Sequence, residues 1–135
     1  MGDTGDTCAV ILLVEDDGIV RFTTSEILRE EGYTVVEAVN ADEALRLLHG
    51  LPIVDLVLSD VRMPGEMDGV QLASAIKASR PGLPIAIVST HLPEHVSHVA
   101  DAFVAKPFRA AALLRSVEDL LGHEWQNRRR KQTAS

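Results

Sequence analysis

Short apolar runs recur along this chain at residues 8–14, 34–38, 54–58, 85–88 and 103–105, and the stretches between them carry apolar residues at helical spacing. Runs that lack the alternation of a half-exposed strand read as strands buried on both faces, which is the position of a parallel strand between two layers of helices. Parallel neighbours cannot be joined by a tight turn, and the helical stretches supply the crossovers that they need. The pattern predicts an α/β fold, a doubly wound five-stranded parallel sheet with helices on both faces. A chain of 135 residues has room for one such core and no second one.

The helices are marked by their ends. Val20, Thr23, Thr24, Ile27 and Leu28 repeat at helical spacing, and Gly32 supplies a left-handed stop. Asn40 with Glu43 reads as a capping box for a second helix, through Leu48, ended by Gly50 and Pro52. Asp68 with Gln71 does the same for a third, through Ser79, ended by Pro81 and Gly82. After Pro107 a last helix presents Leu113, Leu114, Val117, Leu120 and Leu121 as one apolar stripe. The expected organisation is an N-terminal extension over 1–8, a folded body over 9–121 and a basic, frayed tail over 122–135.

Charge narrows the partners. Residues 1–121 hold 19 Asp and Glu against 9 Lys and Arg, whereas 122–135 hold 1 against 4. A body this acidic repels a phosphate backbone, so no nucleic acid is expected on the folded part, and cations suit it better. Apolar runs far shorter than the ~20 residues of a membrane span, a single Cys8 and the absence of an export signal point to a soluble cytoplasmic protein with no membrane partner.

In a doubly wound sheet, ligands bind beyond the carboxyl ends of the strands, where strand order reverses. The first run here ends in Glu15, Asp16 and Asp17, the third in Asp60, the fourth in Ser89 and Thr90, and the fifth in Lys106 and Pro107. If the first and third strands are neighbours, four carboxylates crowd one rim, and two unit charges ~4 Å apart repel by about 4 kcal/mol at an effective dielectric near 20. A cation among them relieves this. Mg2+ fits, since it takes oxygen ligands and keeps waters and phosphates in its shell, and Lys106 adds a fixed positive charge.

These segments, Leu13-Val-Glu-Asp-Asp-Gly-Ile-Val-Arg21, Ser59-Asp60-Val-Arg-Met-Pro64, Met67-Asp-Gly69, Val88-Ser-Thr90 and Phe103-Val-Ala-Lys-Pro-Phe108, resemble the receiver domain of two-component response regulators over residues 9–121. The resemblance implies the flavodoxin-like strand order 2-1-3-4-5 and a stand-alone receiver without an output domain. It implies that Asp60 is the phospho-acceptor in phosphorelay signal transduction. Glu15 and Asp16 stand where the family keeps its acidic pair for Mg2+, and the backbone carbonyl of Arg62 completes the protein ligands. Ser89 would bond a phosphoryl oxygen, Lys106 would pair with another, and Phe103 matches the aromatic that follows the switch. Asp17 is then a bystander. The implied partners are a histidine kinase or phosphotransfer protein and an unidentified downstream protein, with dimerisation left open.

The sequence also departs from the family. The loop 63–67 carries one extra residue, and Phe103 replaces the commoner tyrosine. Only residues 90–101 separate the fourth-strand serine from the fifth strand, which leaves at most two helical turns, 94–100, and a short helix with so little to bury is marginal. His91, His95 and His98 in that segment read as solvated side chains, because Pro93 interrupts their spacing. Two other functions fit parts of the pattern. One is an interaction module that works without phosphorylation. The other is a Mg2+-dependent aspartyl phosphatase, which wants a second acid two residues after its nucleophile, where this chain has Arg62.

Overall fold

A computed structural model describes residues 9–51, 53–61, 68–90 and 100–134, with side chains as far as Gly122. Five strands, β1 (Val10–Val14), β2 (Thr34–Ala38), β3 (Leu56–Asp60), β4 (Ile85–Ser89) and β5 (Ala102–Ala105), form one sheet. All four neighbouring pairs are parallel, and the order is β2-β1-β3-β4-β5. Four helices are seen among the described residues: α1 (Gly18–Glu30), α2 (Ala41–Gly50), α3 (Gly69–Ser79) and α4 (Ala110–Ala134). This is the doubly wound architecture expected from the apolar runs.

Successive residues of a strand point to opposite faces, so each strand feeds two cores. Leu12 and Val14 of β1 lie with Val57, Ile85 and Ile87 under α2 and α3, which contribute Ala44, Leu48, Leu72 and Ile76. Ile11 and Leu13 lie with Leu56, Leu58 and Val88 under α1 and α4, which contribute Leu28, Leu113 and Val117. Every one of these side chains is essentially buried. Each Val, Leu or Ile among them contributes about 1.5–3 kcal/mol relative to an exposed side chain.

The helix ends follow the capping logic, with two differences. Gly32 sits at φ 95°, with the Gly32 and Tyr33 amides donating to the carbonyls of Arg29 and Leu28, a Schellman stop for α1. Asp68 and Gln71 close a reciprocal capping box on α3. At α2, Asn40 Oδ1 accepts from the Glu43 amide, but the Glu43 carboxylate reaches one residue further back, to the amide of Val39. Asp17, outside the carboxylate cluster, has a structural task that the sequence reading did not give it: its Oδ1 accepts from the amides of Ile19 and Val20 and caps α1.

Strand limits shift where the apolar reading stopped at the first polar residue. β3 runs two residues later than the apolar run, because Ser59 and Asp60 continue the ladder opposite Val14 and Val88, and backbone pairing does not depend on side-chain polarity. Within α1, Thr24, Ser25 and Leu28 face inward, whereas Thr23 is exposed. Helix α4 continues to Ala134, past residue 121 where the sequence suggested that the folded body ends. Cys8, the loop 62–67 and residues 91–99, with the three histidines and the short crossover, lie outside the described residues.

Candidate functional site

Register brings the strand ends to one rim. Val14 pairs with Ser59, Asp60 with Val88 and Ser89 with Ala105, so Glu15, Asp60, Ser89 and Lys106 stand side by side at the carboxyl edge, where the order of β1 and β3 reverses. The Glu15 amide donates to the carbonyl of Ala38, and the Lys106 amide donates to the carbonyl of Ser89, which fixes both residues as they leave the sheet.

The ammonium of Lys106 bridges two carboxylates. Its Nζ donates to Glu15 Oε1 at 2.8 Å and to Asp60 Oδ2 at 2.9 Å. Both carboxylates are largely buried, while Asp16 beside them is exposed. Burial pushes the Glu15 carboxyl above its ordinary 4.5, and the nearby negative charge of Asp60 adds to the rise; the bonds from Lys106 and the Asp17 amide pull it back only in part. Burial alone would lower the Lys106 ammonium, but its bonds to Glu15 and Asp60 outweigh that, so it is held above 10.5.

Glu15, Asp16 and Asp60 each offer a carboxylate oxygen, and the three oxygens lie within 4.8 Å of one another. Three hard oxygen donors at this separation, with one side open to water at Asp16, fit a Mg2+ site of the kind that keeps several waters. The resemblance added the carbonyl of Arg62, which lies outside the described residues. Ser89 is buried at the end of β4, and Phe103 on β5 is 36% exposed. A narrow cleft beneath the rim is lined by Glu15, Thr24, Ser59, Asp60, Lys106 and Phe108.

Two features of the site went unread in the sequence. Gly69, first residue of α3, donates its amide to the Val61 carbonyl at 2.8 Å, and a β-carbon there would stand 2.0 Å from the Asp60 carbonyl oxygen. Arg21 donates to the Glu15 carbonyl from one turn into α1. The Gly69 constraint is tertiary and leaves no local trace beyond an Asp-Gly pair at a helix start.

Residues 11–118 match the response regulator receiver domain family. Among curated relatives, the chain is 40% identical over 119 residues to the transcriptional regulatory protein GlrR of Escherichia coli (strain K12), a match over 84% of this chain and 26% of that protein. It is 34% identical over 126 residues to the transcriptional regulatory protein PdtaR of Mycobacterium tuberculosis, covering 87% and 60%. The chain thus spans about a quarter to three-fifths of these two relatives. Among solved structures, a response regulator receiver domain protein from Methanospirillum hungatei superimposes with a TM-score of 0.81 at 29% identity, covering 90% of this chain and 98% of that one. The response regulator protein TrrA of Thermotoga maritima, in complex with Mg2+ and BeF, gives 0.78 at 32%, covering 84% and 99%. The strand order, the acidic pocket at the carboxyl rim and these matches agree, and the chain belongs to the response regulator receiver domain family of two-component systems.

Proposed function

We propose that Asp60 is a phospho-acceptor, and that the domain signals by changing its protein partners according to whether Asp60 carries a phosphoryl group. The observation that carries this reading is the placement of Asp60 Oδ2 against Lys106 Nζ, beside two further carboxylates that can hold a divalent cation. The phosphoryl group that a carboxylate nucleophile attacks has to be neutralised, and a fixed ammonium 2.9 Å from Asp60 Oδ2 serves that need.

In the reaction, an Asp60 oxygen forms a bond to phosphorus as the donor's own bond to phosphorus breaks. The leaving group departs with the electron pair of the broken bond, acetate as the free carboxylate and a histidine ring nitrogen with uptake of a proton from solvent. Lys106 stays paired with an oxygen of the reacting group, and the Ser89 hydroxyl donates to another. Glu15, Asp16 and Asp60 would hold Mg2+, with the Arg62 carbonyl as the further ligand that the family resemblance implies, and the ion would supply further charge neutralisation. Transfer to Asp60, and loss of the group to water, are the only chemistry assigned to the domain, which is a switch and not an enzyme acting on a separate substrate. Ser89 and Phe103 are proposed to move when the group arrives.

The proposed donor is a histidine kinase or phosphotransfer protein, and its docking is supported by Ile19 and Phe22. These large apolar residues of α1, 80% and 65% exposed, follow directly on the acidic loop. A protein donor must cover this rim to reach Asp60, and an exposed aromatic with an aliphatic neighbour suits such an interface. Residues 9–121 form the switch, residues 1–8 and 122–135 are appendages to it, and the setting is cytoplasmic. Among the described residues no helix is long and apolar enough to cross a membrane.

Intact mass after incubation with Mg2+ and acetyl phosphate tests the proposal. One phosphoryl group is expected on the wild type and none on Asp60→Asn or with metal chelated. Label on another residue, or an unchanged wild-type mass with both acetyl phosphate and a cognate kinase, overturns it.

A further inference from the structure

The peptide unit joining Glu15 to Asp16 carries both side chains of the acidic pair, so whatever holds that unit sets the angle between them. Its carbonyl oxygen accepts from Arg21 Nη1 at 2.9 Å. The same guanidinium donates through Nε to Glu37 Oε1 at 3.1 Å, and the second oxygen of Glu37 pairs with Arg29 Nη1 at 3.2 Å. Arg29 in turn donates through Nη2 to the Val35 carbonyl at 3.0 Å. A chain of charge-assisted bonds therefore runs from β2 through α1 to the metal-facing loop. Arg21 is mostly buried, 21% exposed, and the Glu37 carboxylate that orients it is only one-third exposed, so both bonds are partly shielded from water.

Resting on the phospho-acceptor reading, we propose that Arg21, oriented by Glu37, is a positioning residue for the divalent cation: it locks the Glu15–Asp16 peptide so that both carboxylates face the Asp60 oxygen. The geometry of the loop leaves this to Arg21. Glu15 is otherwise held through its side chain, by Lys106 and by the Asp17 amide, and through its amide by the Ala38 carbonyl; none of these touches the peptide plane leading to Asp16. Groups that orient metal ligands without touching the metal typically change affinity ~10- to 100-fold when removed.

The sign of the effect separates positioning from charge. Deleting a cation beside a cation site should tighten metal binding by electrostatics alone, whereas loss of ligand alignment should weaken it. Mg2+ binding to the unphosphorylated protein, measured by calorimetry at fixed ionic strength, is therefore the readout, with thermal melting alongside. Arg21→Ala should weaken Mg2+ by ~10-fold or more, Arg21→Lys should recover part of the loss through its single donor group, and Glu37→Gln should weaken binding less than Arg21→Ala. The double variant Arg21→Ala with Glu37→Gln should bind no worse than Arg21→Ala alone, because Glu37 acts through Arg21. Lys77→Ala, which breaks the Lys77–Asp101 pair at the opposite end of the sheet, should lower the melting temperature without changing Mg2+ affinity. Unchanged or tighter binding in Arg21→Ala overturns the proposal, as does a lowered melting temperature with affinity intact. If Arg21→Ala fails to fold, Arg21→Lys and Glu37→Gln decide: both binding Mg2+ as the wild type does overturns the proposal. A wild type that binds no Mg2+ overturns the metal reading itself, an outcome distinct from equal binding by wild type and variants.

Discussion

A β-carbon on Gly69 would stand 2.0 Å from the carbonyl oxygen of Asp60 and 2.8 Å from the α-carbon of Val61, so the first turn of α3 lies directly against the backbone that carries the central carboxylate. Backbone cannot swing aside as a flexible side chain can. Gly69→Ala is expected to destabilise the fold by about 1–3 kcal/mol, as overpacking does, and to slow modification of Asp60 by shifting its main chain. Urea melts and the rate with acetyl phosphate check this. Gly82→Ala, where nothing lies within 4 Å of the added carbon, should change stability by less than about 0.5 kcal/mol.

Mg2+ should stabilise the protein, because it neutralises carboxylates that repel one another when the fold gathers them. By mass action the gain is about 1.4 kcal/mol at a tenfold excess over Kd. The melting temperature of the wild type should therefore rise with Mg2+, and that of Asp16→Ala should rise far less. An equal rise in the variant removes Asp16 from the metal site.

Glu15 predicts a pH dependence in the absence of metal. Burial and the charge of Asp60 hold its proton to higher pH in the folded protein than in the unfolded chain. Between the ordinary value of 4.5 and the raised one, the folded state binds more protons, so this group's contribution to stability is present below 4.5 and is lost as pH rises through the folded pKa. Urea midpoints followed upward from pH 4.5 with chelator present should fall more steeply for the wild type than for Glu15→Gln, which cannot ionise. Parallel curves would remove Glu15 as the source.

Phe22 is expected to matter for one class of donor. Truncation of an aromatic anchor commonly costs 2 kcal/mol or more at an interface, about 30-fold in affinity. Phe22→Ala should therefore slow transfer from a phosphorylated histidine-containing protein by ~10-fold or more relative to transfer from acetyl phosphate. An unchanged ratio of the two rates would place the donor elsewhere.

The strands, their parallel pairing and the rim to which Glu15, Asp60, Ser89 and Lys106 belong were legible in the sequence, because burial on both faces imposes uninterrupted apolar runs and the residue after each run is bound to emerge at one edge. Helix stops at Gly32 and the box of Asp68 with Gln71 were equally local, since a left-handed turn and a reciprocal cap each need particular residues at fixed offsets. The third strand ends in Asp60, as the sequence indicates, although its apolar run stops at Leu58, because Ser59 and Asp60 belong to the backbone ladder regardless of their polarity. Asp17 had a local signal as well, an acid directly before the helical period, and its capping role was overlooked in favour of the strand-end cluster.

What only the tertiary structure decided is how the rim is held. Lys106 meets Glu15 across 91 residues and Asp60 across 46, and no periodicity in the chain encodes which carboxylate a lysine will bridge. Arg21 finds Glu37 because β2 lies beside β1, and Gly69 is forced by the approach of a helix to a strand end, Asp60, that precedes it in sequence. Apolar pattern and capping chemistry act over a few residues and are written in order along the chain. Ion pairing and steric fit at the site act between segments that become neighbours only once the sheet has set its register.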